Sequence, residues 1–451
     1  MAVSSEELGT QDIKKLLVKQ AVPASIGILF LSVNILIDTI FVGQWIGSLA
    51  IAAVTVVLPI TFLISSLGMA IGVGGGSVLS RALGAKDHGK AKSTFANQIM
   101  MTFALSTVFC LLGIFFSEEM LLLFGAKGAI IQPATEFFKP IILSVPFLAL
   151  CMMGNNIIRA EGKPKFAMIA MIVPAFFNIA LDIVFIKVMN LGMTGAAYAT
   201  SISYFMCFVF VLWFFLFKSE IKLKAVHFKF NYDILKEIST LSFVTFSRQG
   251  VIAILSIILN HTLYTYGGEH SITVYGIISR MLMFALFPIL GITQGFLPIA
   301  GYNYGARNYD RVKESIGISI KYAALLASII FILILLFATP IVTIFTDDQT
   351  VLDETPNALR WVFAASPIIA VQLIGSAYFQ AVGKARKALL LTLSKQGFFL
   401  IPLVLILPNF FGIFGVWVAF PISDVLSTLL TAFFLKREMN TTLIQSTDGL
   451  L

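Results

Sequence analysis

Apolar residues in this chain occur in long blocks separated by short polar segments. Each block runs for about 20 residues or more, the length of helix that crosses about 30 Å of hydrocarbon. Because backbone polar groups in lipid must pair within their own segment, the blocks are predicted to be helices. The predicted fold class is therefore an all-α integral membrane protein. Twelve spans are predicted, at residues 16–43, 50–80, 94–116, 137–159, 166–187, 194–217, 238–263, 271–303, 315–345, 358–381, 387–407 and 412–435.

The twelve predicted spans form two copies of one six-helix unit. One offset of 221 residues aligns Phe124 with Phe345, Pro146 with Pro367, Gly84-Ala85 with Gly305-Ala306 and Gly162-Lys163 with Gly383-Lys384. After the loss of one residue the offset is 220, and Gly192 and Gly195 align with Gly412 and Gly415. A fixed internal repeat determines the architecture. An even number of spans per copy predicts two six-helix bundles related by a pseudo-two-fold axis along the membrane normal, with substrate bound where the halves meet. The predicted domains are an amino-terminal lobe at 1–217, a cytoplasmic linker at 218–237, and a carboxy-terminal lobe at 238–451 that ends in a short cytoplasmic tail.

Composition excludes a soluble fold. Charged residues make up 12% of the chain and the mean hydropathy is +0.94, whereas soluble domains carry about 25% charged residues. The net charge of +8 arises from basic residues in alternate loops. This pattern predicts that both termini lie in the cytoplasm. The expected location of the protein is the plasma (inner) membrane. Topology therefore accounts for the basic excess, and no nucleic-acid partner is expected. The three cysteines all lie in apolar spans and predict neither disulfides nor a metal site.

One loop resembles a phosphate-binding motif without completing it. The segment Gly84-Ala-Lys-Asp-His-Gly-Lys-Ala91 supplies Ala91 where the motif needs a hydroxyl for magnesium, and it follows a membrane helix where the motif follows a strand. No nucleotide, no other cofactor and no enzymatic activity are therefore expected. The glycine run at 72–76 permits either an anion site or close helix packing, and we favour packing.

The first copy carries two carboxylates inside predicted spans. Each has an asparagine four residues earlier, in Asn34-Ile-Leu-Ile-Asp38 and Asn178-Ile-Ala-Leu-Asp182, so each pair shares one helix face. Asp38 lies about 28 Å of helix beyond Lys19 and Asp182 about 26 Å beyond Lys165, which puts both in the outer part of the membrane. Thr200 enters from outside to a comparable depth.

A carboxylate in hydrocarbon is costly and indicates a functional site. No basic residue lies at this depth in the first copy, and Lys187 is expected at the interface. The pair must therefore take up a proton or bind a hard cation through oxygen ligands. The alternative is that each aspartate only stabilises a kink in its helix.

The second copy differs at the same positions. Leu259 and Leu403 replace Asp38 and Asp182, and the buried charges are instead Asp424, Arg248, Arg280 and Lys395. Because buried charges need partners, one ion pair with Asp424 is expected. The remaining positive charges serve either structure or substrate.

The chain resembles the multidrug and toxic compound extrusion (MATE) family over essentially its whole length. The matching stretches are Asp38-Thr-Ile-Phe-Val-Gly43, Asn178 to Asp182, and Gln294-Gly-Phe-Leu-Pro-Ile-Ala-Gly-Tyr-Asn-Tyr-Gly-Ala306. The resemblance implies export of amphipathic, often cationic drugs in exchange for H⁺ or Na⁺. In the branch it most resembles, the amino-terminal lobe holds the cation. Carried over, the ligands are Asp38, Asn178, Asp182, Thr200 and the carbonyl of Ala196, with Asn155 close by; a Na⁺ ion would sit at the first four. The acids that other branches place in the carboxy-terminal lobe have no match, since Arg248 and Gln372 stand there.

The expected function is secondary active multidrug efflux by a monomer that contacts small drugs or xenobiotics and membrane lipids. Two alternatives stay open at this point. The first is a flippase of the same superfamily for an anionic lipid-linked substrate, motivated by Arg248, Arg280 and Lys395. The second is a membrane scaffold that transports nothing.

Overall fold

The structure is a computed structural model that describes residues 5–346 and 348–443. Every regular element in these two ranges is helical, which confirms the predicted fold class. The helices of the first half are α1 Glu7–Thr10, α2 Ile13–Trp45, α3 Ser48–Gly84, α4 His88–Phe115, α5 Ser117–Leu123, α6 Ile131–Ala160, α7 Pro164–Asp182 and α8 Gly192–Phe217. A π-helical turn, Ile183–Val188, continues α7.

The second half repeats this plan. Its helices are α9 Tyr232–Gly305, α10 Tyr309–Thr343, α11 Gln349–Phe363, α12 Ile369–Ala381, α13 Ala385–Leu393, α14 Ile401–Ile406, α15 Pro408–Phe411 and α16 Ile413–Thr441. A second π-helical turn, Ser394–Leu400, joins α13 to α14. Short 3₁₀ turns lie at Gly128–Ile130, Ala225–His227 and Ser366–Ile368.

The described residues contain 11 helical stretches that are long and apolar enough to cross a membrane. One of them, α9, is 74 residues long and is interrupted at Gly268, whose φ of 67° is a backbone conformation that favours glycine. Two predicted spans, 238–263 and 271–303, lie on either side of this break. The twelve predicted spans therefore each correspond to a helical segment.

The chain divides into two compact units that do not follow the repeat boundary. Among the described residues, the first unit comprises 5–7 and Ile26–Thr245, and the second comprises Leu8–Ser25, 246–346 and 348–443. The predicted lobes, 1–217 and 238–451, therefore differ from the compact units, because the leading segment of each repeat packs with the opposite copy. The predicted tail follows the last predicted span, and its residues 444–451 lie outside the described residues.

This exchange is symmetric within the repeat. In the second unit, a Cβ on Gly295 would lie 2.8 Å from the backbone nitrogen of Ala21. In the first unit, a Cβ on Gly74 would lie 2.7 Å from the backbone nitrogen of Ser242. The offset of 221 relates Gly74 to Gly295 and Ala21 to Ser242. Glycine at both positions lets the exchanged segment approach at backbone distance.

An asparagine side chain bonds to the backbone at the start of each exchanged segment, from a different position in each copy. Asn303 Nδ2 donates to the Leu8 carbonyl at 2.9 Å, and Asn97 Nδ2 donates to the Lys229 carbonyl at 3.1 Å. Leu8 and Lys229 are also 221 residues apart. Because a buried amide that loses its acceptor is costly, these bonds specify where each segment docks.

Contacts show how the glycine run at 72–76 packs and what occupies the helix end beside the loop that follows it. A Cβ on Gly72 would lie 2.9 Å from the Met153 Cα, so this run packs closely against α6, as predicted. The loop that resembles a phosphate-binding motif ends in Asp87, which accepts a hydrogen bond from the Lys90 backbone N–H at 2.8 Å. The protein's own carboxylate thus caps the helix end that a phosphate would use.

Candidate cation-binding site

Three helices of the first unit position the polar side chains. Asn34 and Asp38 lie one turn apart on α2, Asn178 and Asp182 lie one turn apart on α7, and Thr200 lies on α8. Asp182 is the last α-helical residue of α7, where the π-helical turn begins. Such turns shift the hydrogen-bond register of a helix and occur frequently at functional sites.

The two carboxyl groups are neighbours. The side chains of Asp38 and Asp182 lie close enough to interact with each other, and a shared proton or a bound cation stabilises such a pair. Asp182 is fully buried, and neither of its oxygens has a donor among the described residues. Oδ1 of Asp38 is also shielded from solvent and without a donor. Unsatisfied carboxyl oxygens at this burial are the expected feature of a site that takes up H⁺ or a hard cation.

A chain of amides and a hydroxyl runs beside the carboxyl pair. Asn34 Nδ2 donates to Asn178 Oδ1 at 2.8 Å. Asn178 Nδ2 in turn donates to Thr200 Oγ1 at 3.3 Å. The chain fixes the orientation of the Asn178 amide, because its oxygen and its nitrogen both have partners.

Basic side chains of the described residues form no ion pair with Asp38 or Asp182. Lys187, the nearest candidate in sequence, is exposed, and its Nζ lies 5.4 Å from the centre of the Trp45 ring. An amphipathic lysine beside an aromatic ring is the arrangement expected at the membrane interface. The negative charge of the site therefore has no fixed counter-charge.

Two predicted members of the site are placed differently. Ala196 is fully buried one turn before Thr200 and does not line the cavity beside the carboxyls. Asn155 is not brought to the carboxyls: its Nδ2 donates to the Ala167 carbonyl at 2.6 Å, and its Oδ1 accepts from Arg159 Nε at 3.0 Å. Ala167 lies near the beginning of α7, whereas Asp182 lies at its end, so about 22 Å of helix separates them.

A cavity of about 220 Å³ opens beside these residues within the first unit. Asn34, Asp38, Asn178 and Thr200 line it, together with apolar side chains and Tyr204. Sequence reasoning missed Tyr204, whose phenol is close enough to Asp38 to interact with its charge. Its position one turn after Thr200 on α8 was the available signal.

The second unit pairs its buried acid with a lysine. Lys395 Nζ lies 2.7 Å from Oδ1 of Asp424, which is 3% exposed as a residue. Lys395 therefore does not add to the free positive charge. Arg248 is partly buried and Arg280 is exposed, and neither forms a hydrogen bond or an ion pair with another described residue.

A multi-pass membrane protein built from two repeated six-helix copies, with a buried carboxyl pair in one copy, defines the class of a membrane transporter. The MatE family model matches residues 23–184 and 248–406, which together exceed half of the chain. The chain belongs to the MatE family, whose members are ion-coupled transporters of the plasma membrane and need no cofactor.

Relatives and solved structures cover nearly the full length. The multidrug export protein MepA of Staphylococcus aureus (strain N315) is 28% identical over 95% of both chains. That of Staphylococcus haemolyticus (strain JCSC1435) is 27% identical over 93% of this chain and 92% of its own. An outward-facing multidrug resistance MATE family transporter of the MOP superfamily superimposes with a TM-score of 0.91 at 26% identity, covering 98% of this chain and 99% of that one.

Proposed function

We propose that this protein exports amphipathic, cationic organic compounds by antiport with H⁺ or Na⁺, and that Asp38 and Asp182 carry the coupling ion. One observation carries the proposal: two neighbouring, interacting carboxyls in apolar helices, with no basic partner among the described residues. The similarity to multidrug export proteins supports the substrate class.

Coupling follows from the electrostatics of the pair. Two adjacent ionised carboxylates in a low-dielectric site repel each other strongly, so the pair binds one cation and releases it only when the surroundings change. Oxygens of Asn178 and Thr200, which line the same cavity as Asp38, would complete the oxygen set around a Na⁺ ion. A proton would instead be held between the two carboxyls alone.

The test is export from proteoliposomes that contain the full-length protein, with either a proton or a sodium gradient imposed. Asp38→Asn and Asp182→Asn are expected to abolish gradient-driven export of a cationic dye while the protein still purifies as a folded species. Asp310→Asn serves as the matched control, because the Asp310 side chain is 82% exposed at the start of α10 and should transport normally. Unchanged export by Asp38→Asn or by Asp182→Asn would contradict the coupling role.

We also infer that the protein is a monomer with both termini in the cytoplasm and with lipid on its outer surface. The alternation of basic loops supports this orientation. Labelling of single cysteines introduced in alternate loops of whole cells tests it. Accessibility of residues beside Lys163 from the outside would reverse the assignment.

The anionic-lipid flippase rests on the excess of basic residues in the second unit. Of Arg248, Arg280 and Lys395, it is Lys395 that forms the expected ion pair with Asp424. Arg248 and Arg280 remain as its only support in the described part of the second unit. The scaffold alternative is tested by the same proteoliposomes, since it requires that no gradient drives any solute.

A further inference from the structure

The second unit contains a cavity of its own, of about 170 Å³. The repeat relates its lining to that of the first cavity, since Leu255 is the counterpart of Asn34 and Phe420 is the counterpart of Thr200. Apolar side chains have thus replaced the amide and hydroxyl chain. The cavity is nevertheless not purely apolar, because Lys395 and Asp424 both line it.

The ion pair presents its lysine to the cavity. The Lys395 side chain is 20% exposed and that of Asp424 is 5% exposed, so the ammonium is the more accessible partner. An ammonium has three donors. Lys395 Nζ lies 2.7 Å from Asp424 Oδ1, and no hydrogen bond joins Lys395 to any other described residue. At least two donors are therefore available to a ligand.

We propose that this cavity is a second ligand site, which binds an amphipathic carboxylate of about one aromatic ring in size together with one proton. The carboxylate accepts hydrogen bonds from Lys395, and its apolar body contacts side chains such as Leu255 and Phe420. An engineered apolar cavity of about 150 Å³ holds one benzene molecule, so the volume is sufficient.

The proton is required by charge balance. With Asp424 ionised the pair is neutral, and a carboxylate that enters adds an uncompensated negative charge at high cost. When Asp424 takes up a proton from solvent, its negative charge disappears and Lys395 pairs with the ligand instead. The bound state contains protonated Asp424, charged Lys395 and the carboxylate of the ligand. The net change in the cavity is the uptake of one neutral acid molecule.

Among the described residues that line the cavity, Tyr275 is the one further titratable side chain beside Lys395 and Asp424, and it is neutral near pH 7. Arg248 lies one turn before Ile252 on α9 and is absent from the lining. The inference does not depend on the coupling role of Asp38 and Asp182.

Calorimetric titration of the purified full-length protein with benzoate tests the proposal. Near pH 7 benzoate is ionised, so binding to the wild type should take up about one proton, measured by repeating the titration in buffers of different ionisation enthalpy. Benzamide, which has the same ring and no charge, should bind at least tenfold more weakly. Absence of saturable heat, binding without proton uptake, or equal affinity for benzamide would each overturn the proposal.

Variants separate the two charges. Asp424→Asn should bind benzoate without proton uptake, because its Lys395 has no competing carboxylate. The double variant Lys395→Gln with Asp424→Asn leaves no unpaired charge, so it should stay folded and lose benzoate binding. Asp38→Asn in the other unit should retain both the affinity and the proton uptake. Benzoate binding by the folded double variant would show that the cavity recognises only the ring, contrary to the proposal.

Discussion

The cavities of the two units occupy equivalent places in the repeat and have opposite chemistry. In the first, Pro174 and Tyr204 line the wall beside Asp38. In the second, the counterparts of Pro174 and Tyr204 are Lys395 and Asp424, while Leu259 stands in place of Asp38. A few substitutions in one helical framework thus convert an acidic site without a counter-charge into a neutral ion pair. The comparison teaches that the repeat specifies where a cavity forms, and single side chains specify what it binds.

The framework itself is perturbed at the same depth in both copies. Pro174 lies inside α7 and removes one intrahelical hydrogen bond. Its counterpart Lys395 lies in the π-helical turn Ser394–Leu400, where the hydrogen-bond register is also altered. Different residues therefore produce a local opening of the helix beside each cavity.

The largest effect is expected when the acidic site of the first unit receives an apolar residue that stands at the equivalent position of the second unit. Asp182→Leu introduces the side chain found at Leu403 and should reduce gradient-driven export to background, because one carboxyl alone cannot hold the shared ion. Leu403→Met conserves volume in the second unit and should export normally. The comparison between the two variants is made in the same proteoliposome assay, and export by Asp182→Leu above background would remove the acidic pair from the mechanism.

Loss of one partner of the ion pair in the second unit should destabilise the fold. Lys395→Gln leaves Asp424, the more buried group, without compensation and should lower the free energy of unfolding by about 3 to 5 kcal/mol. Asp424→Asn should cost less, because Lys395 is more exposed. The double neutral variant should recover most of the loss. Thermal unfolding in detergent measures all three, and equal costs for the single variants would contradict the asymmetry of burial.

A loop carboxylate distinguishes the units outside the membrane. Burial raises the pKa of Glu161 from its usual 4.5 to about 7, although the Ser219 hydroxyl and the Glu220 backbone N–H donate to its oxygens and oppose the rise. The counterpart in the second unit is Val382.

Because the folded protein holds this proton in a range where the unfolded chain has released it, stability should be greatest below about pH 4.5 and fall as pH rises through about 7, by at most about 3 kcal/mol. Glu161→Gln should flatten this part of the pH profile of the melting temperature. Glu118→Gln, on an exposed position of α5, is the control. An unchanged slope in Glu161→Gln would assign the pH dependence to other groups.

The smallest expected effect concerns the amide chain. Asn34→Leu introduces the residue of Leu255 and leaves Asn178 Oδ1 without its donor, at a cost of about 1 to 2 kcal/mol. Export should weaken, since the orientation of Asn178 is no longer fixed, but it should not disappear. Initial export rates and melting temperature are measured together, and a fall in stability without any change in rate would limit the amide chain to a structural role.

The spans and the carboxyl pair could be predicted from sequence, because both depend on distance along a helix. Counting 1.5 Å per residue gives the depth of Asp38 and of Asp182 without knowledge of packing. The direction that a side chain faces around the helix depends on neighbours from distant parts of the chain. Asn155 was therefore expected near the pair and instead bonds to Ala167, and Tyr204 was overlooked.

The compact units were not predictable for a related reason. The repeat relates residues that are equivalent, but it contains no information on which copy packs against which segment. Nothing in the sequence around Gly295 or Ala21 indicates that the two residues meet. Only the short distance between their backbones shows that Leu8–Ser25 packs in the second unit.

The exchanged leading segments have a consequence for any attempt to divide this protein. A fragment cut before Tyr232 would retain residues 8–25 with nothing to dock against and would lack the stretch through Thr245 that seals its own bundle. Each half is thus an incomplete folding unit, and its apolar grooves would favour aggregation unless the other half were synthesised in the same cell. Co-expressed halves should rescue one another, whereas a single half should be degraded. The polar stretch near 218–231 connects the two repeats along the chain, but it is not a boundary between two folding units. The first residues of each repeat pack in the compact unit that the other repeat mainly forms.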